Sequence, residues 1–425
     1  MDPAEPRKVA IVTLGCGRNE VDSDQAAGLL AASGFEMVDD PEQADAIVVN
    51  TCAFIEAAKR ESIDTVMDAA GLKAQGRART VLVMGCLAER YTDTLRAELP
   101  EADAIVPFAD YVRLPDVLRS TLGTVAPASP GPSRPALAPP AGRRALPMVF
   151  PTPAGTPFPA RGAVRGPVAL VKLAEGCDRD CSFCAIPSFR GGFRSRRPTE
   201  VLDEVAWLAG QGVSEVVLVA ENSTSYGKDL GGRSALVHLL RDLAAVDGLR
   251  RIRLQYLQPD ELTPGLLEEM AANPVVCSYF DLSLQHASAP VLRRMRRGGS
   301  REAFLGLVGR IRALDPDAAF RSNFILGFPG ERRQDVRELE DFLEEARLDW
   351  VAFFAYSPED GTAALGLDRQ VPARTARARV ERLTELQARV LDEVQAAWVG
   401  RRLEVLVDRV DRDGTAEGRS FREAP

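Results

Sequence analysis

The sequence predicts an α/β protein with two parallel-sheet units and a short all-β end. Strand-like and helix-like patterns alternate along both halves of the chain, which is typical of parallel strands covered by helices. A proline-rich stretch separates the halves, and a strand-like run over 403–407 follows the helix-breaking Gly400. We therefore divide the chain into segments 1–125, 126–160, 161–399 and 400–425.

Composition limits the class of protein. The chain has 425 residues, of which 45% are hydrophobic, enough for two or three packed domains. Its net charge of −8 argues against a globally basic nucleic-acid binder. Seven cysteines, an odd number in a long chain, do not resemble a secreted disulfide framework. No apolar run approaches the ~18 residues of a membrane span, so we expect a cytoplasmic protein with no membrane partner.

The first segment predicts three strand–helix units. Strands are predicted over 9–13, 46–49 and 80–83, and helices over 23–32, 54–67 and 87–99. A cysteine follows each strand: Cys16, Cys52 and Cys86. Because the carboxyl ends of parallel strands meet at one edge of a sheet, we expect these cysteines to be neighbours. Three buried structural cysteines are the alternative, since unpaired cysteine is among the most buried residue types.

The middle segment is a linker by composition. Eleven prolines lie between Pro127 and Pro159, mixed with glycine, alanine and serine. Such a stretch is stiff and extended and does not form a helix or a central strand.

The third segment repeats the strand–helix pattern six times. Strands are predicted over 168–173, 215–220, 251–257, 278–284, 319–326 and 350–356. Apolar residues on one helical face, such as Val201, Val205 and Leu208, mark the intervening helices. Six units predict a partial (β/α)6 barrel, whose catalytic groups would lie on the loops after the strands. A long helix over 373–398 follows.

The loop after the first of these strands carries Cys177, Cys181 and Cys184 in a C-x3-C-x2-C pattern. Thiolates are the usual ligands of iron–sulfur clusters, and three of them leave one iron open to a small molecule. A structural zinc site needs a fourth ligand, and His238 and His286 are far away in sequence. A redox C-x-x-C pair is the other alternative. We favour the open cluster, and a second one at the three strand-end cysteines.

These two cysteine triads resemble the methylthiotransferase family of radical S-adenosylmethionine (SAM) enzymes, over nearly the whole chain. Several sequence motifs resemble those of the RimO branch, which acts on ribosomal protein S-twelve. They are LGCGRNEVDSD, NTCAFIEAAKRESID, GCLAERY, CAIPSFRGGFRSR, STSYGKD, LQHAS, FILGFPGE and FAYSPEDGTAA. The sister branch acting on tRNA shares the cysteines but usually differs in the loop after the second strand. Segment 400–425 resembles the first strand or two of the family's all-β TRAM domain, and would be a truncated form of it.

The resemblance implies two 4Fe-4S clusters and SAM as cofactors. The SAM cluster would bind Cys177, Cys181 and Cys184, and the auxiliary cluster Cys16, Cys52 and Cys86. One SAM would generate a radical at the β-carbon of an S-twelve aspartate, and a second SAM would donate the methyl group. The partners implied are S-twelve in the small ribosomal subunit and a reducing electron donor.

Contacts to SAM are less specific. The resemblance suggests Glu221 and Asn222, just past the second barrel strand, for the SAM amino group or ribose. Arg321 is a candidate for the SAM carboxylate through a charge-assisted pair. Polar residues capping a turn and a surface arginine are the alternatives. We interpret His286 as a satisfied histidine at the barrel lip and Cys277 as a core thiol.

We expect two clusters of arginines to lie on a solvated face of the protein. The alternative is that they form a docking surface for RNA or for a substrate on the ribosome. They comprise Arg190, Arg194, Arg196, Arg197, Arg293, Arg294, Arg296 and Arg297.

Three functions remain. The first is the S-twelve aspartate methylthiotransferase, and the second is a tRNA adenosine methylthiotransferase, which the net charge of −8 disfavours. The third, a non-catalytic two-cluster electron carrier, would have no use for a large barrel beside an open iron.

Overall fold

The structure is a computed structural model that describes residues 6–123, 158–232 and 234–424. The chain forms two compact units. The first contains the residues up to 164 together with 175–177 and 186–194, and the second contains 165–174, 178–185 and the chain from 195 onward. The linker predicted over 126–160 lies outside the described residues, except at 158–160.

The first unit contains a five-stranded parallel sheet in the order β2-β1-β3-β4-β5. Its strands are β1 (Lys8–Thr13), β2 (Glu36–Met37), β3 (Ala46–Thr51), β4 (Thr80–Gly85) and β5 (Ala104–Ile105). Its helices are α1 (Gly17–Ala32), α2 (Glu56–Ala74), α3 (Cys86–Arg90), α4 (Thr92–Glu98) and α5 (Leu114–Thr121). The predicted open parallel sheet is confirmed. The sequence missed β2 and β5, because two residues are too few to show a period.

The central strands β3 and β4 are buried at every position. Continuous apolar runs of this kind are typical of parallel strands with both faces covered. The two strands pair in register up to Thr51 and Gly85, so both end at the same level. The residues that follow them, Cys52 and Cys86, therefore emerge side by side.

All three predicted helices of the first unit differ from the observed ones. Helix α2 spans Glu56–Ala74 and continues past the predicted end at 67. The single helix predicted over 87–99 is wrong, because Tyr91 leaves the helical region (φ −127°, ψ 32°) and separates α3 from α4. Helix α1 begins at Gly17 rather than at 23. Its first turns carry the polar residues Asn19 and Asp22, which are fully buried here.

The second unit contains six parallel strands that follow the predicted ones. The paired sets β10-β9-β6 and β11-β12-β13 are joined by parallel bridges from Ile252 to Val276 and from Leu257 to Leu282. The strands of this part of the chain are β6 (Val168–Lys172), β7 (Ala174–Glu175), β8 (Arg194–Ser195), β9 (Glu215–Val219), β10 (Arg251–Leu254), β11 (Tyr279–Gln285), β12 (Ala319–Leu326) and β13 (Trp350–Ala355). The partial (β/α)6 architecture is confirmed.

Helices alternate with these strands. They are α6 (Ile186–Phe189, in the first unit), α7 (Pro198–Gly210), α8 (Ala235–Ala244), α9 (Pro264–Ala272), α10 (Ala289–Arg294), α11 (Arg301–Leu314), α12 (Arg333–Ala346) and α13 (Ala373–Ala396). Short 3-10 helices occur at Pro41–Gln43, Phe108–Arg113, Ser223–Ser225, Pro259–Glu261 and Ala363–Gly366. None of the helices in the described part of the chain is long and apolar enough to cross a membrane.

The side chains of strand β12 distinguish the face of the barrel wall that packs against helices from the face that lines the barrel interior. Phe324 packs against Phe342 of α12, with 6.1 Å between ring centroids, so its side of the strand faces the helices. Since side chains alternate along a strand, Arg321, Asn323 and Ile325 face the other side, the barrel interior. These three are only partly buried, whereas their neighbours on β12 are buried.

The chain ends in an antiparallel pair, β14 (Leu406–Val410) and β15 (Ala416–Arg419). The strand predicted over 403–407 begins only at Leu406, because pairing with Arg419 fixes the register. This segment lies against the amino ends of barrel strands. Arg251 and Arg253 of β10 donate to backbone carbonyls of residues 404, 419, 420 and 421 at 2.7–3.4 Å.

Candidate functional site

The first cysteine triad lies at one edge of the N-terminal sheet. Cys16 precedes helix α1 as its N-cap, Cys52 directly follows β3, and Cys86 directly follows β4. Strands β1, β3 and β4 are neighbours in the sheet. The structure therefore places all three cysteines after the carboxyl ends of adjacent strands, as expected from the sequence.

Two glycines allow the cysteine loops to approach each other. Gly15 has φ +98°, and a Cβ there would lie 3.0 Å from Cys52 Cβ and 3.1 Å from its Sγ. Gly85 has φ +94°, and a Cβ there would lie 2.4 Å from both Asn50 Oδ1 and the carbonyl oxygen of Thr51. Larger residues would push these loops apart, so glycine is required at both positions.

Asn19 of α1 joins the three loops. Its Nδ2 donates to the carbonyl oxygens of Leu14 (2.8 Å) and Thr51 (3.1 Å), just before Cys16 and Cys52. Its Oδ1 lies 3.7 Å from Cys86 Sγ, which donates to it. One buried amide thus fixes the geometry of all three strand ends.

Arg190 is the residue of this site that sequence analysis misread. Its buried guanidinium donates through Nη2 to Asn19 Oδ1 (2.9 Å), Asp22 Oδ2 (3.0 Å) and Cys86 Sγ (3.4 Å). Nη1 donates to both oxygens of Glu175 at 3.1 Å. The solvated face expected for the arginine cluster is therefore wrong for Arg190. Arg190 lies six residues after Cys184 in the same motif, and this position is the sequence signal that could have predicted its place at the site.

Burial governs the protonation of two thiols of the triad. Burial raises the pKa of the Cys86 thiol to about 12, although the charge of Arg190 lowers it in part. Burial also raises the pKa of Cys52, and the nearby Cys16 adds to the increase. Bare thiols at Cys52 and Cys86 therefore stay protonated at neutral pH, and binding as thiolates would require a bound metal ion to deprotonate them.

The donor set fits a cluster better than a single ion. In the described residues, no three His, Cys, Asp or Glu side chains converge as they would around one metal ion. In a cubane cluster each thiolate binds a different iron, so the sulfurs lie farther apart than around one ion. A cubane cluster held by these three thiolates would keep one iron without a protein ligand.

The second triad lies in the loop that follows β6 and β7. In the first unit, the backbone N–H of Cys177 donates to the carbonyl oxygen of Gly191 (3.1 Å). In the second unit, Ser182 anchors the loop between Cys181 and Cys184, because its N–H donates to Met295 O (3.0 Å). All three cysteines are partly exposed, and none of the chain's seven cysteines is in a disulfide.

A buried arginine also lies beside this second triad. Arg297, which follows α10, places Nη1 3.7 Å from Cys181 Sγ. Its Nη2 donates to the carbonyl oxygen of Ser283 on β11. The solvated face is wrong for Arg297 as well, and for Arg196, which is 1% exposed and donates to the carbonyl oxygen of Lys172 at 2.9 Å. The neighbouring Arg293 is exposed.

Glu261 accepts hydrogen bonds from several side chains around the cysteine loop. Its carboxylate accepts hydrogen bonds from Arg179 (2.6 Å), Asn222 (3.0 and 3.1 Å), Ser225 (2.6 Å) and Lys228 (2.5 Å). Arg179 belongs to the C-x3-C-x2-C loop, and Asn222 is one of the predicted SAM contacts. Burial alone would raise the pKa of Glu261, but the hydrogen bonds lower it to about 2.

This lowered pKa predicts a pH dependence of stability. A depressed pKa stabilises the fold above the unfolded value of 4.5, and the effect is lost as pH falls toward 2. We therefore expect Glu261→Gln to unfold at lower urea than the wild type at pH 7. The difference should shrink between about pH 4.5 and pH 3. Urea unfolding of both cluster-free proteins, followed by circular dichroism, measures it. A difference independent of pH would contradict this role.

The predicted SAM contacts lie near this loop in the second unit. Glu221 and Asn222 follow β9 and are buried. Arg321 faces the barrel interior and pairs with Asp281 at 2.9 Å. Beside it, the buried Oδ1 of Asn323 has no hydrogen-bond partner among the described residues. Arg321 is thus held by Asp281, and its role toward SAM stays a prediction.

The structure agrees with the interpretation of Cys277 and, in part, with that of His286. His286 is fully buried and its Nδ1 accepts a hydrogen bond from Ser288 N at 2.9 Å, but its buried Nε2 lies 3.6 Å from Glu331 and has no hydrogen-bond partner among the described residues. Cys277 packs in a core cluster with Tyr279 and Ala319, where burial raises its pKa to about 11.

Comparisons with known proteins agree with this architecture. The model of the uncharacterized protein family UPF0004 matches residues 8–107, and that of the radical SAM superfamily matches residues 171–343. A protein from Nocardioides sp., named ribosomal protein uS12 methylthiotransferase RimO, is 51% identical over 98% of this chain and 89% of that protein. The chain belongs to the RimO family of radical SAM methylthiotransferases.

Further relatives extend the comparison. RimO proteins from Salinispora arenicola and Streptomyces griseus are 49% and 48% identical, over 88% and 91% of their lengths. Among solved structures, the radical SAM methyltransferase TsrM from Kitasatospora setae superposes with a TM-score of 0.56 at 16% identity, covering 85% of this chain and 77% of TsrM. At that identity the likeness concerns the fold alone. This chain is a radical SAM methylthiotransferase, an enzyme class that uses a 4Fe-4S cluster and SAM.

Proposed function

We propose that this methylthiotransferase inserts a methylthio group at the β-carbon of an aspartate of ribosomal protein S-twelve. One SAM serves radical generation, and a second SAM is the methyl donor. The names of the relatives support the substrate. The observation that carries the chemistry is the triad of Cys16, Cys52 and Cys86 at one sheet edge, which the chain has in addition to the C-x3-C-x2-C loop; Cys52 and Cys86 are buried.

We propose that two 4Fe-4S clusters bind this chain, one at each triad. When bound, the cluster at Cys177, Cys181 and Cys184 supplies the electron that cleaves SAM, and the auxiliary cluster at the other triad supplies sulfur. Removing a hydrogen atom from an unactivated carbon has no acid–base route, which is why a radical is required.

The residues of the barrel wall orient SAM in this proposal. Asn222 is held by Glu261, which also fixes Arg179 of the cysteine loop, so cofactor and cluster loop share one anchor. Arg321 and Asn323 present a cation and an unsatisfied amide oxygen to the barrel interior. A SAM carboxylate suits the first and a SAM amino group the second.

The proposal assigns each segment a role. Segment 1–125 holds the auxiliary cluster, 126–160 links, 161–399 generates the radical, and 400–425 is a partial TRAM-like segment. The setting is the cytoplasm, with S-twelve in the small ribosomal subunit and a reducing electron donor as partners.

Mass spectrometry of S-twelve and of bulk tRNA from a deletion strain tests the substrate. We expect the S-twelve aspartate to lose its methylthio mass, with tRNA unchanged. Complementation with the wild-type gene should restore the modification, and so should Cys277→Ala, a matched change of a core cysteine. Loss of a methylthio-adenosine with S-twelve unchanged would instead support the tRNA alternative.

A further inference from the structure

We propose that Arg190 and Arg297 are positioning residues that separately set the reduction potentials of the two clusters, each through one cysteine sulfur. The inference rests on the proposed assignment of clusters to the two triads. Each triad has one buried guanidinium directed at one of its sulfurs. These are Nη2 of Arg190 at 3.4 Å from Cys86 Sγ and Nη1 of Arg297 at 3.7 Å from Cys181 Sγ.

The hydrogen bonds of Arg190 fix where its charge lies. Glu175 holds Nη1 from both carboxylate oxygens, and Asp22 and Asn19 hold Nη2. Nη2 has two N–H groups for three acceptors, so its contact with Cys86 Sγ shares an N–H with the bond to Asn19 or Asp22. The rigid, planar guanidinium keeps that N–H beside the sulfur. A lysine keeps the charge but, as a point donor on a flexible stem, cannot serve all these partners at once.

Arg297 is held differently. It donates through Nη2 to the carbonyl oxygen of Ser283 on β11, which directs Nη1 toward Cys181. The residue is 7% exposed, so water screens its charge poorly. Arg190 shares its charge with two carboxylates, whereas the Ser283 carbonyl is neutral. We therefore expect the larger effect at the second triad.

The physical effect is on the one-electron reduction of each cluster. Reduction adds one negative charge, and hydrogen bonds to the ligand sulfurs and nearby cations stabilise that charge in a site of low dielectric constant. Each arginine should thus raise the potential of the cluster beside it. In a titration dithionite supplies the electron and is oxidised to sulfite.

Four variants test the assignment in the reconstituted full chain. Arg190→Lys and Arg297→Lys change the buried arginines, and Arg194→Lys and Arg293→Lys are matched controls at exposed arginines nearby. Midpoint potentials come from dithionite titrations followed by electron paramagnetic resonance. Each cluster is observed alone in a chain whose other triad is replaced by alanine.

We expect Arg190→Lys to make reduction of the auxiliary cluster less favourable by about tenfold, or about 59 mV, and to leave the SAM cluster unchanged. Arg297→Lys should do the reverse, with a shift at least as large. The two controls should shift neither. Potentials that do not move, or that move together, in chains that load the cluster under observation would overturn the inference. Failure of the wild type to load two clusters would contradict the proposed function instead.

A measurement on the unmutated arginines keeps the inference testable if a variant misfolds. With 15N-labelled arginine, pulsed electron paramagnetic resonance of each reduced cluster should show one coupled 15N nucleus. The coupling at the auxiliary cluster should be the stronger one, because the N···S distance there is shorter. Absence of 15N coupling at both clusters would overturn the inference.

Discussion

Replacing Cys16, Cys52 and Cys86 with alanine is expected to abolish methylthiolation while SAM cleavage continues. The replacement leaves Cys177, Cys181 and Cys184 in place, so the radical-generating loop keeps its three thiols. Anaerobic reconstitution should give about eight irons per wild-type chain and about four in this variant. Liquid chromatography of 5′-deoxyadenosine, with mass spectrometry of an S-twelve peptide, separates the two activities.

The complementary variant should lose both activities. Alanine at Cys177, Cys181 and Cys184 removes the cluster that cleaves SAM, so neither 5′-deoxyadenosine nor methylthiolated product should rise above background. Cys277→Ala is the matched control and should keep about eight irons, since this thiol packs in a core cluster. An unchanged iron content in the first-triad variant would remove the auxiliary cluster from the mechanism.

Replacing Arg253 with methionine is expected to destabilise the protein by about 3–5 kcal/mol. The side chains of Arg253 and Glu215 are both 0% exposed and pair at 2.8 Å. Without the arginine, Glu215 loses this buried partner, and the carbonyls of Ser420 and Phe421 lose a donor. The free energy of unfolding from urea denaturation measures the loss.

The matched control is Arg241→Met, which breaks a pair with Glu269 in which the arginine lies mostly in water. Arg241 is 60% exposed and Glu269 9%, and Asn273 still donates to Glu269 after the change, so the expected loss is below about 1 kcal/mol. Adding Glu215→Leu to Arg253→Met should recover most of the stability, because it removes a buried carboxylate whose remaining charged partner, Arg419, lies 3.8 Å away. If Arg253→Met and Arg241→Met lowered the free energy of unfolding equally, the buried pair would contribute no more to stability than the exposed one.

The sequence predicted what depends on local periodicity and on the order of elements. Strand β12 was predicted with its observed bounds, and the cysteines at the ends of β1, β3 and β4 follow from the parallel topology. The bounds of β12 and the position of these cysteines both follow from patterns only a few residues long. The resemblance to the methylthiotransferase family predicted the cofactors.

The sequence could not predict the buried polar network. Asn19 and Asp22 look like surface residues of a helix start, which is why α1 was predicted to begin too late. They are buried because Arg190 satisfies Asp22 from 168 positions further along the chain. No local period reveals a partner at that separation, and a run of arginines resembles a solvated face until its partners are known. The break at Tyr91 was missed for a related reason, because the apolar pattern continues through it.

The contacts of the last strands with Arg251 and Arg253 have a consequence for the order of synthesis. These arginines bond carbonyls 153 to 168 positions later in the chain. At ribosomal speed that separation corresponds to roughly ten to thirty seconds. The N-terminal sheet, by contrast, pairs only strands between Lys8 and Ile105. We expect the nascent chain to complete the sheet that carries Cys16, Cys52 and Cys86 before the residues that bond Arg251 and Arg253 of the barrel have been synthesised.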